Sequence, residues 1–110
     1  RRMRRQRVKV YILAGQSNMV GHASVKVMEN QLKHNRTKDR WTRFRSNGTW
    51  VSRSDVSISS NCDFKVSSGP LSVGYGGSDR KIGPEFGFGW SMGDYHSEPV
   101  FLIKAAWGGK

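Results

Sequence analysis

The sequence predicts an α/β fold built on a parallel sheet. Two strongly apolar segments, residues 8–14 and 100–106, are rich in β-branched and aromatic side chains and predict core strands. A helical segment that begins near Pro84 directly precedes the second strand. Because a helix between two strands of one sheet is typical of a β-α-β crossover, we expect the two strands to be parallel neighbours.

The first predicted strand, VKVYILA at residues 8–14, ends at Gly15 and is followed at once by the polar cluster Gln16-Ser17-Asn18. Serine and asparagine are both favourable N-caps, so a short helix is expected within residues 19–27. Two interpretations of the turn remain open at this point. Ser17 is either the cap of that helix or a nucleophile displayed at the end of a strand.

The middle of the chain is predicted to be an insertion between the first core strand and the helix, and it contains a hairpin. Residues 30–43 are polar and basic and predict a loop. The Asn47-Gly48 pair lies between alternating segments, which is typical of a β-hairpin because both turn positions need positive φ. Residues 55–58 and 71–75 predict further short strands, and loops are expected over 67–70 and 74–79.

The segment IGPEFGFG, residues 82–89, predicts the start of a helix. Pro84 suits the first helical position, and Glu85 lies favourably near the positive end of the helix dipole. Three glycines, Gly87, Gly89 and Gly93, lower the helix propensity of the segment. Glycines at these positions indicate close packing against a neighbouring backbone.

The net charge of +11 comes mostly from two segments. Residues 1–7 form a basic leader, and a second basic cluster spans residues 33–45 of the predicted loop. A nucleic-acid-binding domain more often carries a basic face with interleaved aromatics on a regular element, so solvated charge is favoured over specific nucleic-acid binding. A non-catalytic module that binds polyanions or acetylated sugars stays as the alternative.

Other classes of protein are disfavoured by composition. The single cysteine, Cys62, lies in a predicted Ser/Asn loop and excludes an internal disulfide or a multi-cysteine metal site. No apolar run is long enough to span a bilayer, and no signal-peptide cleavage pattern is visible. We therefore predict no membrane partner, no metal and no cofactor, and the sequence indicates neither oligomeric state nor compartment.

The candidate site lies where the two core strands end. In open parallel sheets, ligands bind beyond the carboxyl ends of the strands, and here those ends carry GQSNM and WGG. If the strands are neighbours, Ser17 converges with Gly108 and Gly109. A serine at a strand-to-helix turn presents its hydroxyl outward. Glycine has no side chain, so a substrate can come close enough to accept a hydrogen bond from its backbone N–H group.

Three segments in this order, YILAGQSNMVGH, IGPEFGFG and LIKAAWGGK, resemble the sialate O-acetylesterase-like carbohydrate esterases of the SGNH-hydrolase superfamily. The bacterial branch related to acetyl xylan esterases is the most similar. The resemblance covers most of residues 8–110. It implies the N-terminal part of an SGNH/flavodoxin-like parallel sheet sandwich with a β-hairpin insertion. It also implies a serine hydrolase that removes O-acetyl groups from carbohydrates, in a family whose members are often secreted or periplasmic.

The resemblance also implies roles for individual residues. Ser17 is the nucleophile, and its backbone N–H together with that of Gly108 or Gly109 donates to the oxyanion. Gln16 and Asn18 shape the turn.

The family's later blocks do not occur in this sequence. The resemblance implies a general-base His with its Asp from near the C-terminus of family members, and a Gln-containing block before it. We therefore expect residues 8–110 to be an N-terminal portion of the domain and to be inactive alone. His22 is a weak candidate base, because it lies five residues after Ser17. A polar surface role is favoured for it, as for His34 and His96. Trp107 reads as a core residue or a sugar-stacking surface, with the core favoured.

Overall fold

The computed structural model describes residues 7–62 and 65–108, so Gly109 and most of the predicted basic leader lie outside the described residues. In chain order the elements are β1 (Lys9–Gly15), α1 (Ser17–Val20), β2 (Ala23–Ser24), α2 (Val25–Leu32), β3 (Arg45–Ser46), β4 (Thr49–Trp50), β5 (Arg53–Cys62), β6 (Lys65–Leu71), β7 (Lys81–Ile82), α3 (Pro84–Tyr95) and β8 (Val100–Ala106). The mixed α/β class predicted from the sequence is confirmed.

The main sheet has the strand order β1-β8-β5-β6. Strand β8 lies between β1 and β5 and is parallel to both, and β6 is antiparallel to β5. The register pairs Gly15 of β1 and Cys62 of β5 with Ala106 of β8, so three parallel strands end at one edge. The predicted parallel pairing of the first and last core strands is therefore confirmed.

The prediction for residues 53–75 is partly wrong. Strand β5 is ten residues long and belongs to the main sheet, and residues 67–70, predicted as a loop, lie in β6. Only Leu71 of the predicted strand 71–75 is extended. Cys62, placed in a loop by the sequence, is a buried free cysteine at the end of β5. Small serine side chains obscure the strand pattern, and Pro70 is tolerated because β6 is an edge strand.

The Asn-Gly hairpin is present as the antiparallel pair β3–β4. Asn47 and Gly48 both adopt positive φ, 52° and 78°, as its turn requires. The predicted loop over residues 30–43 is partly helical: α2 extends to Leu32, and short 3₁₀ turns follow at Lys38–Arg40 and Thr42–Phe44.

Two helices replace the single one expected over residues 19–27. Helix α1 ends at Val20 because Gly21 adopts φ 87°, and α2 begins after the N-cap Ser24, whose hydroxyl accepts from the Lys26 amide. A Cβ atom at Gly21 would lie 2.2 Å from the Cα of Gly83, so the chain turns where two backbones meet.

Helix α3 confirms the predicted helix and packs on one face of the main sheet. The buried core residues are Leu13, Val25, Met28, Val56, Ile58, Leu71, Ile82, Phe86, Trp90, Val100 and Leu102. The α3 glycines do not pack against a neighbouring backbone as the sequence suggested: Gly89 and Gly93 meet side chains, and Gly87 meets nothing within 4 Å. Gly89 faces Leu71 and Leu102, and Gly93 faces Arg53 and Val56.

The opposite face of the sheet is largely uncovered by residues 7–62 and 65–108. Val10 and Ile12 of β1 are 53% and 74% exposed, and Ile103 of β8, opposite Ile12, is 37% exposed. Parallel sheets normally have both faces covered. Among the described residues, no helix is both long and apolar enough to span a membrane.

Candidate functional site at the strand ends

Strands β1 and β8 end side by side. The Trp107 amide donates to the Gly15 carbonyl at 3.2 Å, which continues the ladder one step beyond β8. The serine turn and the segment that follows β8 therefore leave the sheet at the same edge, as the sequence predicted. Ser17 opens α1 immediately after this point, and Gly108 follows Trp107.

Ser17 is the first residue of α1, not its N-cap. The cap position belongs to Gln16, whose side chain makes no capping hydrogen bond, so the cap role considered for Ser17 is wrong. The backbone of α1 is held by hydrogen bonds from Val20 to Gln16 and from Gly21 to Ser17. The Ser17 side chain is exposed and forms no hydrogen bond with any residue that the structure describes. Its hydroxyl thus faces solvent at the strand ends, and Asn18 beside it is also exposed.

The three histidines occupy different surroundings. His22 lies beyond Gly21, outside α1, and its Nδ1 is 3.4 Å from the Lys81 amine. Its ring packs beside Gly77. His34 is exposed, and the Nε2 atom of His96 lies 2.6 Å from the Tyr11 hydroxyl at the C-terminal end of α3. Within the described chain, none of the three forms a hydrogen bond with Ser17.

A fully buried ion pair lies behind the serine turn. The Nζ atom of Lys104 is 2.5 Å from Oε1 of Glu85, and both side chains are 0% exposed. Sequence reasoning missed this pair, because it treated Glu85 only as a dipole partner and Lys104 only as part of an apolar strand. The available signal was a lysine within the otherwise apolar run of β8, since buried charges are rare unless paired.

A small apolar cluster lies between α1 and the ends of strands β5 and β8. Val20, Cys62 and Ala106 are buried together, and Met19 packs against them. The Cys62 thiol lies 3.4 Å from the Ser60 hydroxyl. Helix α1 is therefore seated on the carboxyl ends of β5 and β8.

A cavity of about 760 Å³ opens elsewhere, between α2 and the β3–β4 hairpin. Its basic lining residues are Lys26, Lys33, Arg45 and Arg80. Residues of the serine turn are not among those that line it. Trp107, for which a core position was favoured, is only half-buried. In the part of the chain that is described, no three His, Cys, Asp or Glu residues are grouped to hold a metal.

The sheet and its polar carboxyl edge define an open α/β domain of the kind that binds ligands beyond its strand ends. A family model described as "Carbohydrate esterase, sialic acid-specific acetylesterase" matches residues 7–110. The chain therefore belongs to this family of carbohydrate esterases, and the resemblance stated from the motifs is confirmed. No curated protein and no solved structure matches the chain.

Proposed function

We propose that the chain carries the nucleophile of a serine acetylesterase that acts on O-acetylated carbohydrates. The observation that carries the proposal is the exposed Ser17 hydroxyl at the carboxyl edge of β1, beside the end of β8. Ser17 Oγ attacks the acetyl carbonyl carbon, its proton passes to a base, and the sugar oxygen leaves with a proton. Water then hydrolyses the acetyl-serine and releases acetate.

The oxyanion that forms during attack needs donors at the same edge. The Ser17 amide belongs to the first turn of α1, where N–H groups have no partner within the helix. We propose this amide and that of Gly108, or of Gly109 outside the described residues, as the donors. Gln16 and Asn18 shape the turn around the substrate.

No histidine among the described residues forms a hydrogen bond with Ser17 that would mark it as the base. A serine hydroxyl is a weak nucleophile unless a base accepts its proton. His22 is turned toward Lys81, which makes it a poor candidate. We propose that a His–Asp pair outside these 110 residues acts on Ser17, and that residues 8–110 form the N-terminal portion of an SGNH-type domain. The uncovered apolar sheet face supports this proposal, because further residues would bury it.

The first experiment is hydrolysis of p-nitrophenyl acetate by the full product of the gene. Replacing Ser17 with alanine should lower kcat about 10³-fold or more, because the nucleophile is lost. Ser91→Ala, an exposed serine of α3, is the matched control and should leave kcat unchanged. Equal rates for wild type and Ser17→Ala would remove Ser17 from the mechanism.

The second experiment identifies the sugar. Acetate release is measured from an O-acetylated sialic acid and from an acetylated xylo-oligosaccharide at equal ester concentration. The family description favours the sialic acid. Release from neither substrate, alongside Ser17-dependent hydrolysis of p-nitrophenyl acetate, would contradict the carbohydrate part of the proposal.

A further inference from the structure

The three hydrogen-bond donors of the Lys104 ammonium are all used. Its Nζ atom donates to the Val20 carbonyl at 2.9 Å, to the Tyr75 carbonyl at 2.8 Å and to Glu85 at 2.5 Å. A lysine has three donors and no acceptor, so no donor remains for water or substrate. The side chain therefore acts only on the elements around it.

The Glu85 carboxylate is equally committed. Its Oε1 atom accepts from Lys104, and its Oε2 atom accepts from the Gly83 amide at 2.9 Å. Glu85 lies in the first turn of α3, where a negative charge is favourable. The pair thus joins β8 to the start of α3, and the close contact of Gly83 with Gly21 links α3 to the end of α1.

Helix α1 depends on this support because it is only four residues long. An isolated turn of helix is unstable in water, and its last carbonyls lack intrahelical partners. Lys104 supplies a donor to the carbonyl of Val20, the last residue of α1, and a positive charge at a helix C-terminus is favourable. The adjoining loop is tied in as well, since Gly77 donates to the Gly21 carbonyl.

We propose that Lys104 and Glu85 are positioning residues that hold α1, and with it Ser17, against the ends of β1 and β8. The pair touches no reacting atom and acts through the backbone of the serine turn. Its effect on catalysis rests on the proposed esterase function, whereas its effect on α1 does not. Misplacement of a reacting group by about 1 Å is enough to cost about 100-fold in rate.

The test uses the double variant Lys104→Met/Glu85→Gln. Both charges are removed, so no unpaired charge is left buried, and the new side-chain amide still offers an acceptor to Gly83. Loss of the donor to Val20 should lower kcat for p-nitrophenyl acetate about 10- to 100-fold with KM changed less than about twofold. The matched control is Lys9→Met/Glu98→Gln, which removes a partly exposed pair of the same residue types at 3.7 Å and should change neither constant.

Hydrogen exchange gives a readout that is independent of activity. In the double variant, the amides of Val20 and Gly21 should exchange about tenfold faster or more, while those of Ile58 and Leu102 in the sheet core keep their protection. Glu85→Asp alone, which keeps both charges and both carbonyl acceptors of Lys104 but shortens the carboxylate side chain, should give smaller changes of the same sign. This single variant replaces the double one if the latter does not fold.

The outcomes separate the two proposals. Wild-type kcat and wild-type exchange of Val20 and Gly21 in a folded double variant would overturn the positioning role while leaving Ser17 as the nucleophile. Faster exchange of those two amides together with a lower kcat supports the role. If Ser17→Ala hydrolyses the ester at the wild-type rate, the esterase proposal fails, and exchange alone decides whether the pair holds α1.

Discussion

At the scale of single residues, Arg53 organises the polar side of α3. Its Nε and Nη2 atoms donate to the two oxygens of Asp55 at 2.9 and 2.8 Å, and Nη1 donates to Asp94 at 2.7 Å. The hydrogen bonds from Arg53 hold the pKa of Asp55 below its ordinary value of 3.8. The pKa of Asp94 is likewise lowered, most strongly by the hydrogen bond from Arg43 and next by the one from Arg53. The guanidinium of Arg53 also lies 4.8 Å from the centre of the Trp90 ring.

These shifts predict how stability depends on acid. Both carboxylates have lower pKa values in the folded protein than in the unfolded chain. Their contribution to the free energy of unfolding is therefore fully present above a pH of about 4, and it is lost as the pH falls through the pKa values of the folded state. Asp94→Asn should therefore lower the free energy of unfolding at pH 7 by roughly 0.2–1 kcal/mol, a range set by solvent screening, and flatten its decline below pH 4. The measurement is urea unfolding followed by circular dichroism between pH 7 and pH 2.5.

Asp39→Asn is the control for this prediction. Asp39 is exposed and forms no ion pair within the described residues, so its replacement should leave the acid dependence as it is. An Asp94→Asn variant whose stability falls as steeply with acid as that of the wild type would contradict the assigned cause.

Residue-level prediction from the sequence reached only local features. The position of Ser17 after a core strand follows from a few adjacent residues, and the structure places it at the predicted edge. The Lys104–Glu85 pair depends on the topology, because α3 packs on the sheet and so brings Glu85 next to Lys104 of β8, 19 residues later in the chain. No local pattern specifies that contact. Pairing Lys104 with Glu85 from sequence would require knowing which face of β8 is covered by α3.

At the scale of elements, predictability follows the strength of the apolar pattern. Strands β1 and β8 and helix α3 were predicted because long apolar runs or a Pro-Glu start mark them. Strand β5 was underestimated because Ser60 and Cys62 occupy its inward positions near the end of the strand. Strand β6 was missed because Gly69 and Pro70 normally indicate a turn, and only the open edge of the sheet makes them acceptable there.

The α3 glycines give an element-scale prediction with a built-in contrast. A Cβ atom at Gly89 would lie 2.3 Å from Leu71 Cδ2 and 2.9 Å from Leu102 Cδ1, and both leucines are fully buried. Overpacking costs about 1–3 kcal/mol, which at such short distances exceeds the gain of about 1 kcal/mol in helix propensity. Gly89→Ala should lower the free energy of unfolding by about 1–2 kcal/mol, measured by urea denaturation.

Gly87→Ala is the matched variant in the same helix. A Cβ atom at Gly87 meets nothing within 4 Å, so only the propensity gain remains and stability should rise by about 0.5–1 kcal/mol. Changes of the same sign in the two variants would contradict the packing that we assign to Gly89.

At the scale of the whole molecule, the described residues cover the main sheet on one side only. Helix α3 and the buried core lie on one face, whereas Ile12 and Ile103 stand opposite each other on the other face and are 74% and 37% exposed. Val10 lies on the same face of β1 as Ile12, two residues earlier, and extends the apolar patch. Contiguous apolar surface of this kind on a parallel sheet is typical of a face that packs against further structure.

This face leads to the last prediction, which concerns Ile12→Thr/Ile103→Thr. In the 110-residue chain, the substitutions should reduce binding of the dye ANS and self-association in sedimentation, because they remove exposed apolar surface while threonine keeps strand propensity. Val27→Thr, at an exposed valine of α2, should change either signal much less. In the full product of the gene, where we propose that further residues bury the face, the same double variant should instead lower the free energy of unfolding by about 2 kcal/mol or more. Undiminished ANS binding in the 110-residue double variant would show that the dye binds elsewhere, and unchanged stability of the full product would show that this face stays exposed there.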